Sequence, residues 1–264
     1  MRVVLLMLLA LVSGGIADAE TCGVNAPCAV AGGTYRVSPP DGPIRGAALF
    51  LHGYGSSGNE MMQDDAFRAA FRPTGVLLVL PNGPGRAWHV AGEPGVAGND
   101  RSFVAAVADD VAQRWQVDRP KMWVGGFSVG ASEVWDLACH GGGFADYVAI
   151  SGQFWDPLPA GCDGPPVDLL QIHGLTDDVF PLEGRAIGRA QQGDLFASLG
   201  VLRALDQCRS NPDAMTAEGM FVLRLWTSCR SGKQIGLVLH PGGHEMPKGW
   251  VPIAFAWARS LSGR

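Results

Sequence analysis

The pentapeptide Gly126-Phe127-Ser128-Val129-Gly130 is the segment best suited to chemistry. Apolar Met122-Trp123-Val124 precede it and an amphipathic stretch, 131–138, follows. That order reads as strand, sharp turn, helix. A serine on such a turn has its hydroxyl lifted clear of the sheet edge. The two glycines leave room for the neighbouring strand and helix. A serine becomes a nucleophile only with a base in reach and an acid to orient that base. On an elbow of this kind the acid follows the serine in the chain, and the histidine follows the acid.

The acid is expected in His173-Gly174-Leu175-Thr176-Asp177-Asp178-Val179-Phe180-Pro181, just past an apolar run. Asp177 and Asp178 both qualify, and the first carboxylate past the strand, Asp177, is favoured. The alternative is that both aspartates shape a turn before Pro181. The base is expected in Leu239-His240-Pro241-Gly242-Gly243-His244. His240 closes a predicted strand and reads as a packed residue. Pro241 and the glycines project His244 on a loop, which suits a proton shuttle. His52 and His173 end apolar runs and read as satisfied core imidazoles, while His89 and His140 fall in the wrong chain order. An oxyanion needs two N–H donors. The backbone N–H of Val129, at a helix N-terminus, is one. The loop His52-Gly53-Tyr54-Gly55 offers Tyr54 as the other.

The elements that must hold these residues are legible as alternating apolar runs and helical periods. Predicted strands cover 34–37 (an edge strand), 47–51, 76–80, 122–127, 147–150, 167–172, 221–226 and 235–239. Predicted helices cover 61–71, 100–115, the stretch from the elbow to Cys139, 195–205 and 250–261. Residues 20–33 read as loop. Alternation of this kind predicts an α/β fold with a doubly wound, mostly parallel sheet flanked by helices. One catalytic domain is expected over 20–264.

Composition narrows the class. With 47% hydrophobic and 17% charged residues the 264-residue chain reads as globular. The net charge of −5 is the same without residues 1–19, because Arg2 and Asp18 cancel. No basic patch invites nucleic acid or an anionic membrane. Residues 1–19 read as a signal peptide: Arg2, an apolar stretch from Val3 to Val12, and an Ala17-Asp18-Ala19 cleavage site. The stretch is too short for a membrane anchor. A secreted protein, extracellular or periplasmic, is expected, and so are disulfides among Cys22, Cys28, Cys139, Cys162, Cys208 and Cys229. Sequential pairing, 22–28, 139–162 and 208–229, clips three local loops. A zinc site is disfavoured, since no C-x-x-C occurs.

These residues together resemble the secreted polyhydroxybutyrate depolymerase and feruloyl esterase family of α/β-hydrolases. The resemblance runs from about residue 34 to the C-terminus. It rests on Leu51-His52-Gly53, Gly126-Phe127-Ser128-Val129-Gly130, His173-Gly174-Leu175-Thr176-Asp177 and Gly242-Gly243-His244, with Cys139, Cys162, Cys208 and Cys229 in support. It implies the α/β-hydrolase fold, Asp177 and His244 rather than their neighbours, and hydrolysis of carboxylic esters through an acyl-enzyme without cofactor or metal. The chain departs from the family pattern at Val129 and at Glu245-Met246-Pro247.

Short-chain, hydroxyalkanoate or aryl esters, small or oligomeric, are the expected substrates, and a monomer is expected. Trp88, Phe154, Trp155 and Trp250 are candidates to line an acyl pocket. A serine peptidase or acyltransferase on the same scaffold is the rival enzyme. A catalytically silent binding protein is the rival from another class.

Overall fold

The computed structural model describes residues 22–92 and 100–261. The predicted signal segment, 1–19, lies outside them. Among the described residues, thirteen strands and six α-helices follow in chain order: β1 Cys28–Val30, β2 Gly33–Ser38, β3 Gly46–Leu51, α1 Gly58–Met61, α2 Asp65–Phe71, β4 Val76–Asn82, α3 Arg101–Trp115, β5 Met122–Phe127, α4 Val129–His140, β6 Tyr147–Ile150, β7 Trp155–Asp156, β8 Leu169–Gly174, β9 Ala186–Ile187, β10 Ala190–Gln192, α5 Leu195–Leu205, β11 Ala214–Glu218, β12 Phe221–Trp226, β13 Ile235–His240 and α6 Trp250–Leu261.

Ten strands form one sheet in the order β1-β2-β4-β3-β5-β6-β8-β13-β12-β11. The inner six, β4 to β13, run parallel. The pairs at either end are antiparallel. The strand predicted at 34–37 is therefore not an edge, because β1 lies outside it. Its Tyr35 and Val37 are fully buried, which an edge facing water would not require. β7, β10 and β9 make a small separate antiparallel sheet.

The inner strands are apolar throughout because both sheet faces are covered. Along β3, Ala47, Leu49 and Leu51 enter the core beneath α3, α4 and α5, where they meet Val104, Val107 and Trp135. Ala48 and Phe50 point the other way, toward Phe67, Phe71, Trp250 and Trp257 of α2 and α6. A charge at any β3 position would thus be buried without a partner, which a sheet wet on one face would avoid.

The helix predicted over 61–71 is two helices. The Asp64 carboxylate accepts from the Phe67 N–H at 2.9 Å and starts α2 afresh. All three predicted bridges are present: Cys22–Cys28, Cys139–Cys162 and Cys208–Cys229. Among the described residues no helix is long and apolar enough to cross a membrane.

Candidate active site

The elbow is built as its glycines demand. A side chain at Gly126 would meet the Gly130 carbonyl, and one at Gly130 would meet the Leu51 and His52 carbonyls. β5, α4 and the end of β3 therefore touch backbone to backbone. Ser128 is left between strand and helix at φ 58°, ψ −123°. A non-glycine residue there carries roughly 1–3 kcal/mol of strain. The Ser128 N–H donates to Ile150 O at 2.9 Å, and Ser128 O accepts from the Ala131 and Ser132 N–H groups at 2.9 and 3.1 Å. The turn is thereby pinned on both sides.

Asp177 and His244 come from loops after β8 and β13, which are neighbouring parallel strands. His244 Nδ1 lies 2.9 Å from Asp177 Oδ2 and 3.1 Å from Oδ1. Asp177 also accepts from the Val179 N–H at 3.0 Å and the Phe180 N–H at 2.7 Å. Burial works to raise the Asp177 carboxyl, but the His244 and Phe180 hydrogen bonds outweigh it and hold its pKa below the usual range. A carboxylate so held keeps the imidazole proton on Nδ1 and leaves Nε2 free as a base. The His244 ring packs on Phe127, with centroids 4.8 Å apart, beside Ser128. Asp178 is exposed, one residue away from this arrangement.

His240, His173 and His52 are buried and held by hydrogen bonds that give each a structural place. His240 is fully buried, takes the Gly242 N–H on Nδ1 at 3.2 Å, and has its pKa lowered by burial. His173 accepts from Gln171 Nε2 at 2.9 Å and donates from its own Nε2 to Phe180 O at 2.7 Å. Gln171 in turn accepts from Trp135 Nε1 at 2.9 Å. The Asp177 loop thus rests on a chain of hydrogen bonds reaching into α4. Burial lowers the His173 pKa, which favours the neutral ring that this chain of hydrogen bonds uses.

His52 works similarly under the other loop. It accepts from the Gly83 N–H on Nε2 at 2.9 Å, so Nδ1 carries the proton and donates to Gly53 O at 2.8 Å. Gly53 lies against the elbow: a Cβ there would be 3.4 Å from the Ser128 Cβ. Arg86 holds the next residues, donating from Nε to Gly55 O at 2.8 Å and accepting the Gly55 N–H on its carbonyl at 2.8 Å. The side chain of Tyr54 is 76% exposed, so only its backbone belongs to this cradle. Val129 begins α4, and its N–H has no intrahelical acceptor.

The predicted pocket aromatics divide. Trp88 is fully buried and donates from Nε1 to His52 O at 2.8 Å. Trp250 packs on Phe50, Phe67 and Phe71 across the other sheet face. Both are buried in the core, and Trp250 also edges a groove with Phe67, Met246 and Pro247. Phe154 and Trp155 line a cavity of about 200 Å³ beside α4. The supporting roles of Arg86, Phe127 and the Trp135-Gln171-His173 chain are not legible in the sequence, because each acts through contacts between distant segments. Among the described residues no group of acidic, histidine or cysteine side chains is placed to hold a metal.

No family model matches the chain. NocK of Nocardia uniformis subsp. tsuyamanensis, an esterase by name, is 27% identical over 265 residues, covering 90% of this chain and 77% of that protein. A protein of Aspergillus terreus named feruloyl esterase C is 25% identical over 89% of this chain and 86% of its own length. Feruloyl esterase C of Emericella nidulans is 31% identical over 62% of this chain and 61% of its own. In fold, an acetyl xylan esterase from Aspergillus awamori superposes with a TM-score of 0.63 at 15% identity, over 86% of this chain and 93% of that one. A Bacillus cereus carboxylesterase gives 0.58 at 14%, over 88% and 95%. With the parallel sheet and the serine elbow already described, these likenesses show an α/β-hydrolase fold in a chain similar in sequence to proteins named feruloyl esterase C.

Proposed function

We infer that the protein is a secreted serine carboxylic ester hydrolase acting through an acyl-enzyme. The observation that carries this reading is the Asp177–His244 pair, 2.9 Å apart, with the His244 ring packed on Phe127, the residue before the strained Ser128. In the first half-reaction the Ser128 hydroxyl attacks the ester carbonyl carbon and its proton passes to His244 Nε2. The carbonyl oxygen becomes an anion, received by the N–H groups of Val129 and Tyr54. The C–O bond to the alcohol breaks, and His244 returns the proton to the departing alkoxide. A water then attacks the acyl-serine by the same route, releasing the acid and restoring Ser128. Asp177 keeps the imidazole oriented and stabilises its charged form. Each oxyanion donor is worth about 3 kcal/mol of barrier in such enzymes.

The substrates proposed are short-chain, hydroxyalkanoate or aryl (feruloyl-type) esters. The aryl class is supported by the feruloyl esterase relatives. Export is supported by the three disulfides, which persist in oxidising compartments. A fluorophosphonate tests the nucleophile: it should add once, at Ser128, and block hydrolysis of p-nitrophenyl butyrate. Ser128→Ala should fold, resist labelling and lose on the order of 10⁴ in turnover. A folded Ser128→Ala protein with near-normal turnover overturns the reading.

A further inference from the structure

His240 closes β13, and the chain reaches His244 four residues later. The His240 imidazole is fully buried, yet only one of its nitrogens is used. Nε2 makes no hydrogen bond. Nδ1 takes the Gly242 N–H at 3.2 Å, so it presents a lone pair and the ring proton sits on Nε2. An apolar side chain would fill this place without burying an unused N–H. What the histidine adds is therefore Nδ1.

A second group stands at that nitrogen. Glu245 Oε1 lies 4.0 Å from Nδ1. The carboxylate reaches it across Gly242, where a Cβ would collide with Oε1 and stand 2.9 Å from Nδ1. The Glu245 side chain is more than half exposed, which leaves it room to move. Nδ1 cannot serve both neighbours. The Gly242 N–H is a donor and needs the neutral ring. The carboxylate is an acceptor and needs a proton on Nδ1. Charge-assisted bonds of this kind close at about 2.7–2.9 Å, so Oε1 has about 1 Å to travel. The surroundings keep both states within reach. Burial lowers the His240 pKa, and the charges of Glu245 and Asp177 raise it. His173, on the neighbouring β8, is a buried ring with both nitrogens hydrogen-bonded. Phe221 of β12 meets His240 edge-on, with centroids 6.4 Å apart, and carries no charge.

Gly242 is also where the base loop rests on the acid loop. Its carbonyl accepts the Thr176 N–H at 3.1 Å, and Gly174 lacks the side chain that would strike the Gly242 and Gly243 carbonyls. Thr176 precedes Asp177, and Gly243 precedes His244. A change at the Gly242 N–H is thus passed to both members of the Asp177–His244 pair.

We propose that His240 and Glu245 are positioning residues for His244 and work as a proton-operated latch: His240 Nδ1 holds the base loop through the Gly242 N–H while the ring is neutral, and releases it in favour of Glu245 once the ring is protonated. The exchange at Nδ1 stands on its own, and its effect on turnover rests on the ester-hydrolase reading. Acid then stops the reaction through two protons, one on His244 and one on His240.

The test combines two measurements on the full protein. In the first, isotope-labelled histidine rings, each assigned through its own backbone, are followed by NMR between about pH 4 and 8. The neutral His240 ring should carry its proton on Nε2, and Glu245→Gln should lower its titration midpoint by at least about 0.5 pH unit. In the second, kcat/KM for p-nitrophenyl butyrate is measured over the same range, with folding checked by circular dichroism at each pH. The acid limb of the wild-type profile should steepen from a slope of about one to about two in log(kcat/KM). Glu245→Gln should displace the steepening to lower pH by the interval through which the NMR midpoint moves. His240→Asn offers Gly242 an acceptor and cannot titrate, so its slope should stay at about one throughout. Should His240→Asn not fold, Glu245→Gln decides alone. A neutral ring protonated on Nδ1, no His240 titration in this range, a midpoint unmoved by Glu245→Gln, or steepening that survives in folded His240→Asn overturns the proposal. Fluorophosphonate labelling reports on the nucleophile separately. A labelled, active enzyme with a single-proton acid limb defeats this inference alone. A midpoint moved by Glu245→Gln in a protein that hydrolyses no ester defeats the ester-hydrolase reading alone.

Discussion

Asp177 and Asp206 are both buried carboxylates, yet they are held in opposite states. Asp177 accepts from two backbone N–H groups and His244, and its pKa lies below the usual range despite burial. Asp206 is fully buried after α5, and its Oδ1 accepts only the Val167 N–H at 3.0 Å. Its Oδ2 has no partner. Burial, reinforced by the charge of Asp168, pushes it up to about 7. The depth of burial is similar, so the number of donors decides whether the charge survives. One carboxylate is equipped to stay ionised beside a histidine. The other, at the end of α5, has its pKa raised to about 7.

The sharpest way to break this comparison is to remove the charge at each site. Asp177→Asn should lower kcat by about 10³–10⁴ with the fold retained, since the imidazole loses its orienting anion. Asp178→Asn should change it by less than about threefold, its side chain being exposed. His244→Ala should cost far more than His240→Ala under the same assay. If Asp178→Asn or His240→Ala proves the more damaging in a folded protein, the wrong member of that pair has been assigned.

Asp206 should show its difference in stability rather than rate. Its folded pKa of about 7 lies above the ordinary value of 3.8. Between those two values the unfolded chain binds fewer protons at Asp206 than the folded one. Stability from this group is therefore present below about pH 4, falls as pH rises toward 7, and is fully lost above that. Asp206→Asn keeps an acceptor for Val167 and cannot ionise. It should raise Tm on the order of 5 °C at pH 8 and do little at pH 4. Thermal melts at the two pH values decide it. An equal shift at both, or a loss at pH 8, would show that the charge is not what burial penalises. Asp177 should behave in the reverse sense: its contribution is present above the ordinary pKa and lost as pH falls through its depressed one.

This contrast was half legible in the sequence. Chain order and the strand-end position single out Asp177 and His244, and the two lie within hydrogen-bond distance. The long parallel strands were readable as unbroken apolar runs because both faces are covered, and α5 and α6 were readable by period. β11 was not, because Ala214-Met215-Thr216-Ala217-Glu218 is exposed along its whole length and has no buried face to imprint an alternation. β7, β9 and β10 are two or three residues long, too short for any period to show. The state of Asp206 was invisible, since it depends on Val167, Asp168 and Lys233 brought in from elsewhere. The pegs under the two loops, His52 and His173, were recognisable as core imidazoles but not as supports.

The smallest expected effect concerns the loop that carries Tyr54, where the same question of donors against charges arises at the surface. Arg86 makes two kinds of contact. Its side chain donates to Gly55 O, and its guanidinium also pairs with Glu60 at 2.6 Å. The ion pair is about half exposed on both sides, and such pairs contribute little. The Gly55 contacts fix backbone next to a proposed oxyanion donor, where a small displacement weakens transition-state binding more than substrate binding. Arg86→Ala should therefore lower kcat by about three- to tenfold with KM nearly unchanged. Glu60→Gln should stay within about twofold, although it removes the same salt bridge. Steady-state kinetics on p-nitrophenyl butyrate separate the two. Equal losses in both variants would show that the ion pair, not the carbonyl contact, holds the loop. A rise in KM alone would place Arg86 in substrate binding rather than in the support of the Tyr54 N–H.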